Sequence, residues 1–596
     1  MNKHRYSICI FLIFICAASC KNNQNKGNRN IIINEYQDSV IANKKLNSPN
    51  FLDSNQIERL QILCSIWGFL KYYHPLVRKG KYNWDKELLH QIPLVIQASS
   101  MKDVNKLLIQ WIDELSPEDS IKYFDKATLP TSECKLRPNY GGIFENKNIS
   151  GELKNKLSRF KEMPFSNTVA FYVKPGPTGA PIFTNEPTDY NVANASVRLL
   201  ALFRYWNCIE YFYPYRYLIA TWPQKLKEYI PLFAGARTKA KYTMTFLKLM
   251  ATINDSHANI WGNNLTLDTL RGIFLTPFKA TFIENKLVVT DYYKDTLRIK
   301  RKIHIGDIIE SIDGHPVDSL IAKYLPLSPG SNYNDKLALL VNPIFGWLLR
   351  SNKKISNISL KRHNSLINER IKLIHYDFSF LATFNLKNGD QDKIKIFKDS
   401  IGYINAGNLK DDDFDSVYSS LKNTKHLIID LRKYPGTFMP YLYAKWLKKE
   451  STPFAKTSTS YYKLPGYFFL QPPLMNGGSE FDINKKTKDI YTGKIIILVN
   501  NFTVSQGEFT AMAFRSIPNS IIIGGQTAGA DGDVASIPLP GDINTLISSI
   551  GIYYPDGTET QRVGIKVDST FYPTIKGIRD RTDELLQKAI EIATKS

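Results

Sequence analysis

The stretch NFTVSQGEFTAMAF (Asn501 to Phe514) follows KIIILVN, whose β-branched residues suit a buried strand. Ser505 therefore stands where a strand gives way to a small-residue helix. A hydroxyl there is either a helix cap or a nucleophile, because the free N–H groups of a helix start also stabilise an oxyanion. A serine nucleophile needs a base at neutral pH. Far upstream, in NDSHANIWG, Ser256 and His257 follow an apolar helical stretch, a placement that hints at a task; a histidine alone is more often structural. KHLIIDLRKYPG (Lys425 to Gly436) and SIIIGGQTAGADGD read as two more buried parallel strands, each opening into a polar or Gly-rich turn. Three such strands with helices between them indicate a layered α/β core, whose strand ends gather ligand and catalytic groups.

The elements that must carry His257 are duplicated. RLQILCSIWGFLKYYHP (Arg59 to Pro75) aligns without a gap on RLLALFRYWNCIEYFYP (Arg198 to Pro214), matching Arg59 with Arg198, Trp67 with Trp206, Tyr72 with Tyr211 and Pro75 with Pro214. A one-residue gap then pairs Trp84 with Trp222. Apolar residues recur at helical spacing in both copies, so each is expected to be a small helical unit. Only the second runs into Asp255-Ser256-His257; the first continues SPEDSIKYF, without a histidine.

From about Phe278 the pattern changes to short alternating strands: KATFIEN, KLVVTDYY and HIGDIIESIDGHPV. The last resembles a PDZ domain, with Gly306-Asp307 turning the chain and Ile308, Ile309 and Ile312 expected in its core. Such modules bind peptide ends at a sheet edge.

The N-terminus MNKHRYSICIFLIFICAASCKNNQNKG has a basic start, an apolar run too short to span a bilayer, and small residues before Cys20. Residues 1–19 are expected to be an export signal. Ala17-Ala18-Ser19-Cys20 resembles a bacterial lipobox, which implies lipidation at Cys20 and an anchor to a membrane of the bacterial cell envelope, facing the periplasm. Residues 20–50 then form a flexible tether. Cys64, Cys134 and Cys208 remain, too few and too scattered for a disulfide framework or a structural zinc site. The formal charge of +22 falls to +20 when residues 1–19, with Lys3 and Arg5, are removed. The basic residues are interspersed with acidic ones and form no nucleic-acid motif, so no nucleic-acid partner is expected.

Taken in order, a helical region ending in D-S-H, a PDZ-like unit, an IIDLR strand with a following glycine, T-x-S-x-x-E and GxxTAG resemble the tail-specific, or C-terminal processing, serine peptidases, and among them the tricorn-type branch. The resemblance covers roughly Ser196 to the C-terminus. It implies a multidomain α/β protein with a crotonase-like ββα core, a PDZ-like β domain and an N-terminal duplicated helical region. The expected division is 51–190 for the first helical copy and connector, 191–265 for the second copy, 266–378 for the PDZ-like domain and 379–596 for the peptidase core.

By the same resemblance Ser505 is the nucleophile and the amides of Gln506 and Gly436 line the oxyanion hole. Glu508 matches the family glutamate but equally suits a helix brace. Lysine-type members carry a base in the segment matching TAGADGD, which has no lysine here, so the resemblance assigns the base to His257 with Ser256 as its orienter. The fourth position falls on Gln561 by its spacing from Gly564, or on Glu559 if the register shifts. The implied activity is an envelope endopeptidase that forms an acyl-enzyme on peptide or protein substrates, without metal or cofactor, and with recognition of chain ends. A carrier on the same fold and an inert PDZ-containing scaffold are the competing readings.

Overall fold

The computed structural model describes residues 52–115, 129–161, 170–293, 297–376, 392–478 and 490–595. The export signal, the tether and Cys20 lie outside the described residues.

The duplicated segments form helices Ser54–Tyr73 and Ala195–Phe212. Asp53 and Gln56 start the first with a reciprocal capping box, and the Asn194 side chain caps the second. Both helices stop for one reason. Their C-caps, His74 and Tyr213, directly precede Pro75 and Pro214, and the proline ring forces each into an extended conformation. The matched tryptophans repeat one device in both copies. Trp67 Nε1 donates to the Trp84 carbonyl and Trp84 Nε1 to that of Trp67, both at 3.0 Å. Trp206 and Trp222 exchange the same pair of bonds at 3.1 and 3.3 Å. Arg59 and Arg198 likewise donate to the carbonyls of Ala98 and Ala234, where the following helices end.

The copies pack through equivalent residues. A Cβ at Gly68 would fall 1.8 Å from Oδ1 of Asn207, its matched position, so only glycine admits this approach. The rings of Tyr72 and Tyr211, also a matched pair, lie 5.3 Å apart. Contact between equivalent positions is what a local two-fold axis produces. Beside it Lys71 pairs with Glu186, while Arg204 reaches Glu186 at 2.8 Å and Asp85 at 2.7 Å, all four side chains being buried.

An antiparallel sheet follows, in the order Ser365–Lys372, Ile355–Arg362, Ile308–Ile312, Lys286–Tyr292 and Phe278–Ile283. At its turn Gly306 has φ +86°, and Asp307 takes two 2.8 Å bonds from Arg362. Ile309 is buried as expected and Ile308, its neighbour on the opposite face of the pleat, is half-buried, whereas a register shift after Ile309 returns half-buried Ile312 to the core side opposite Ile358.

The second core is a sheet ordered Ile394–Phe397, Ile401–Asn405, His426–Asp430, Lys494–Val499, Ser520–Gly524 and Ser569–Thr570, parallel after its first pair. Apolar residues on both faces explain why its strands read as continuous runs. Leu427, Ile429, Ile495, Ile497 and Val499 pack with helix Gln506–Arg515, while Ile428, Ile496 and Leu498 pack with helix Glu584–Thr594. Strand Cys134–Leu136, from the connector after the first helical copy, pairs with Phe468–Leu470 and ties that connector to the C-terminal half.

Candidate active site

Strand Lys494–Val499 ends in a turn built by two side chains. Asn500 Oδ1 accepts the Phe502 amide, and Thr503 Oγ1 donates to the Leu431 carbonyl on the neighbouring strand. Ser505 follows with φ 54° and ψ −120°, a conformation disfavoured for any residue with a side chain, and the helix starts at once. Holding a residue there costs about 1–3 kcal/mol, which the surroundings must offset. The Ser505 amide donates to Ala530 O at 3.0 Å and to Glu508 Oε2 at 3.3 Å. Ser505 and Glu508 have the arrangement of a capping box, yet Ser505 makes no capping side-chain bond of ordinary geometry.

Glu508 is the brace. Its fully buried carboxylate also accepts from Thr527 Oγ1 and from the amides of Gly529 and Ala530 at 2.8 and 3.0 Å. Burial raises its pKa, and those four donors oppose the rise. The TAGADGD segment thus wraps the first turn of the helix. Gly529, at φ +74°, lets the Arg562 backbone approach and accepts its amide at 2.7 Å.

The two expected oxyanion donors, Gln506 and Gly436, differ in what their amides meet. The Gln506 amide is the first of the helix and has no partner among the described residues. The Gly436 amide donates to Ala406 O at 2.9 Å. The lack of a side chain at Gly436 serves packing, since a Cβ would fall 2.2 Å from Leu409 O. The adjacent Thr437 amide has no described partner, and the Thr437 carbonyl accepts Gln506 Nε2 at 2.7 Å, which brings Thr437 beside the helix start.

His257 is buried beyond helix Lys239–Ala251. Its Nδ1 lies 2.9 Å from Ser548 Oγ and 3.4 Å from Asp255 Oδ1. The loop is zipped to the hairpin Val534–Leu539/Ile543–Ser548 by the Ile260–Thr545 bridge and by the Trp261 amide on Asn544 O at 2.8 Å. Burial would raise the Asp255 pKa, but its hydrogen bond to His257, the histidine charge and the amides of Ser548 and His257 hold it below the ordinary carboxylate value.

Ser256 faces elsewhere, a correction to its expected contact with His257. Its Oγ lies 2.8 Å from Ser331 Oγ and donates to Asp335 Oδ2 at 2.5 Å. In this tight turn the three residues of D-S-H diverge, and Ser256 fastens the loop to helix Tyr333–Val341. Burial pushes the Asp335 carboxyl up to about 7, and the charges of Glu508 and His257 act on it in opposite senses. Asp335 is therefore near both Glu508 and His257. No hydrogen bond joins Ser505 to His257 among the described residues.

Glu559 and Gln561 separate clearly. The half-buried Glu559 accepts from Tyr217 Oη at 2.5 Å and pairs with Lys135 at 3.7 Å. Gln561 is buried, with its amide beside the Tyr213 hydroxyl. Sequence reasoning missed Asp255 as a contact of His257, although it precedes the motif's serine, and missed Ser548 and Asp335 altogether. Among the described residues no group of three or more His, Cys, Asp or Glu side chains is arranged to hold a metal ion.

Residues 400–571 match the model of peptidase family S41. A solved structure of mature CPAF complexed with lactacystin superposes with a TM-score of 0.52 at 13% identity, covering 68% of this chain and 99% of that one. Mature CPAF gives a TM-score of 0.51 at 12% identity, covering 67% and 97%. The photosystem II D1 C-terminal processing protease gives 0.37 at 13%, covering 65% and 97%. No curated protein matches the sequence.

Proposed function

We propose that this serine-type peptidase, whose residues 400–571 match family S41, cleaves peptide bonds as a tail-specific, tricorn-like endopeptidase with Ser505 as nucleophile and His257 as general base. The observation that carries the reading is the strained backbone of Ser505 at a strand-to-helix junction, beside the unpartnered amide of Gln506. A mere helix cap needs no such strain.

In the proposed reaction Ser505 Oγ attacks the scissile carbonyl carbon and its proton passes to His257 Nε2. The Gln506 amide, with that of Thr437 in place of Gly436, stabilises the oxyanion. The proton then goes to the leaving amine, and water hydrolyses the acyl-enzyme by the same route in reverse. Nucleophile and base tighten onto each other when substrate enters, since apo enzymes often hold such groups apart.

The α/β sheet, read as a crotonase-like core, presents these groups, and the antiparallel sheet, read as PDZ-like, suits recognition of a chain end. The lipobox resemblance at Cys20 supports an envelope lipoprotein facing the periplasm, held by two or three acyl chains because one binds only marginally. Substitution of Ser505 tests the enzyme against the carrier and scaffold readings. Ser505→Ala is expected to lower kcat on the order of 10⁶-fold and to abolish labelling by a serine-directed phosphonate. A variant that still cleaves a peptide at a near-normal rate would sink the assignment.

A further inference from the structure

His257 is gripped from two chain segments, and the direction of each bond can be counted. Ser548 Oγ has one proton and donates it to Asp255 Oδ1 at 2.9 Å. Towards His257 Nδ1, 2.9 Å away, that oxygen can then only accept. The Nδ1 atom must carry the hydrogen, which leaves the Nε2 lone pair free. Asp255 also takes the Ser548 amide at 2.7 Å and the His257 amide at 3.1 Å, so its carboxylate is fixed through both oxygens.

We infer that Asp255 is the acid of this site and positions His257 both directly and through Ser548, in place of Ser256 and of residues 559–561. The inference rests on the reading of Ser505 and His257 as nucleophile and base. When Ser505 Oγ gives its proton to Nε2, the imidazolium keeps its Nδ1 proton and Asp255 remains ionised, stabilising the new charge at 3.4 Å. Ser548 holds the ring plane. Neither residue touches substrate; both act through the histidine.

Other groups near His257 do not meet this description. Asp335, on helix Tyr333–Val341, has its Oδ2 occupied by Ser256 and the Ser331 amide. Arg562 is spent on the carbonyls of Leu218 and Ile253. The hydroxyls of Tyr205 and Tyr213 are buried and feel the Asp255 charge, and among the described residues neither is hydrogen-bonded to His257. Glu559 is turned to Tyr217 and Lys135.

The test is the pH dependence of kcat/KM on a fluorogenic peptide, with the full chain and a fluorophosphonate label as control. If the wild-type protein is active but unlabelled at Ser505, the underlying reading fails, whatever the variants do. With labelling established, Asp255→Asn is expected to lower kcat on the order of 10³–10⁴-fold. It should also lower the apparent pKa of the base by about 1–3 units, because an anion beside the imidazole is lost. Should Asp255→Asn fail to fold, Ser548→Ala carries the test: it should lower the rate and the same pKa less severely, with recovery in Ser548→Thr. Ser256→Ala should leave that pKa in place. The inference is overturned if Asp255→Asn and Ser548→Ala keep the wild-type pKa, or if Ser256→Ala lowers it more than they do.

Discussion

The two helical copies use the same physics and end differently. Each is closed by a pre-proline C-cap, pinned by reciprocal tryptophan bonds and finished by an arginine on the carbonyls of its second helix. Only the second leads into Asp255, with the histidine two residues beyond it and Ser548 waiting on a distant hairpin. Scaffold was copied, whereas chemistry depends on what meets the exit of the copy. The largest way to sharpen this contrast is His257→Ala. It should lower kcat on the order of 10⁶-fold, as Ser505→Ala should. Near-normal turnover in that variant would mean that the second copy is as inert as the first.

A second contrast is charge. Lys71 and Glu210 are matched positions, both buried. Lys71 has Glu186 as partner, while among the described residues Glu210 has only Arg216, 3.4 Å away, and no hydrogen bond to either oxygen. Burial, only partly opposed by Arg216, raises the Glu210 pKa from 4.5 to about 7. Because the folded value lies above the unfolded one, the folded state binds more protons across that window. Stability therefore falls as pH rises through it. Glu210→Gln should match the wild type near pH 4 and exceed it at pH 8 by up to about 3 kcal/mol. Urea denaturation at both pH values reads this directly, and equal gaps at the two values would show that Glu210 stays charged.

Much of the scaffold was legible because it is written twice or written plainly. Trp67, Trp84 and their partners stand out by repetition, and LIID, KIIILV and SIIIG declare buried strands by their lack of polar alternation. Ser505 was legible as a strand-to-helix hydroxyl, and its strained dihedrals agree with that placement. Side-chain direction was not legible. Asp255, Ser256 and His257 are consecutive, yet Ser256 turns to Asp335 while Asp255 and His257 meet Ser548, 291 residues from the histidine. Periodicity cannot order side chains in a turn that belongs to no helix or strand. Gly436 shows the same limit: its residue type was right for a tight approach, but the approach is to Leu409 O, and its amide serves Ala406.

The smallest expected effect bears on whether the copies are energetically alike. Trp67→Phe and Trp206→Phe each remove one indole N–H and with it the hydrogen bond to the carbonyl of Trp84 or Trp222. Each should cost about 1–3 kcal/mol. The first should cost more. Trp67 is wholly buried, and Lys71 Nζ lies 4.8 Å from the centre of its ring, an attraction that weakens when phenylalanine replaces indole. At Trp206 the position matching Lys71 is Glu210, which offers no cation, and the indole keeps slight exposure. The difference should be roughly 0.5–1 kcal/mol, measured by urea denaturation followed by circular dichroism, because fluorescence itself changes with tryptophan content. In folded Trp67→Phe protein kcat should stay within about two-fold of wild type, since a uniform loss of stability leaves transition-state contacts intact. A larger loss at Trp206 would mean that the duplicated bond is not the same energetic unit in the two copies. Stability would then have been redistributed towards the copy that carries the histidine.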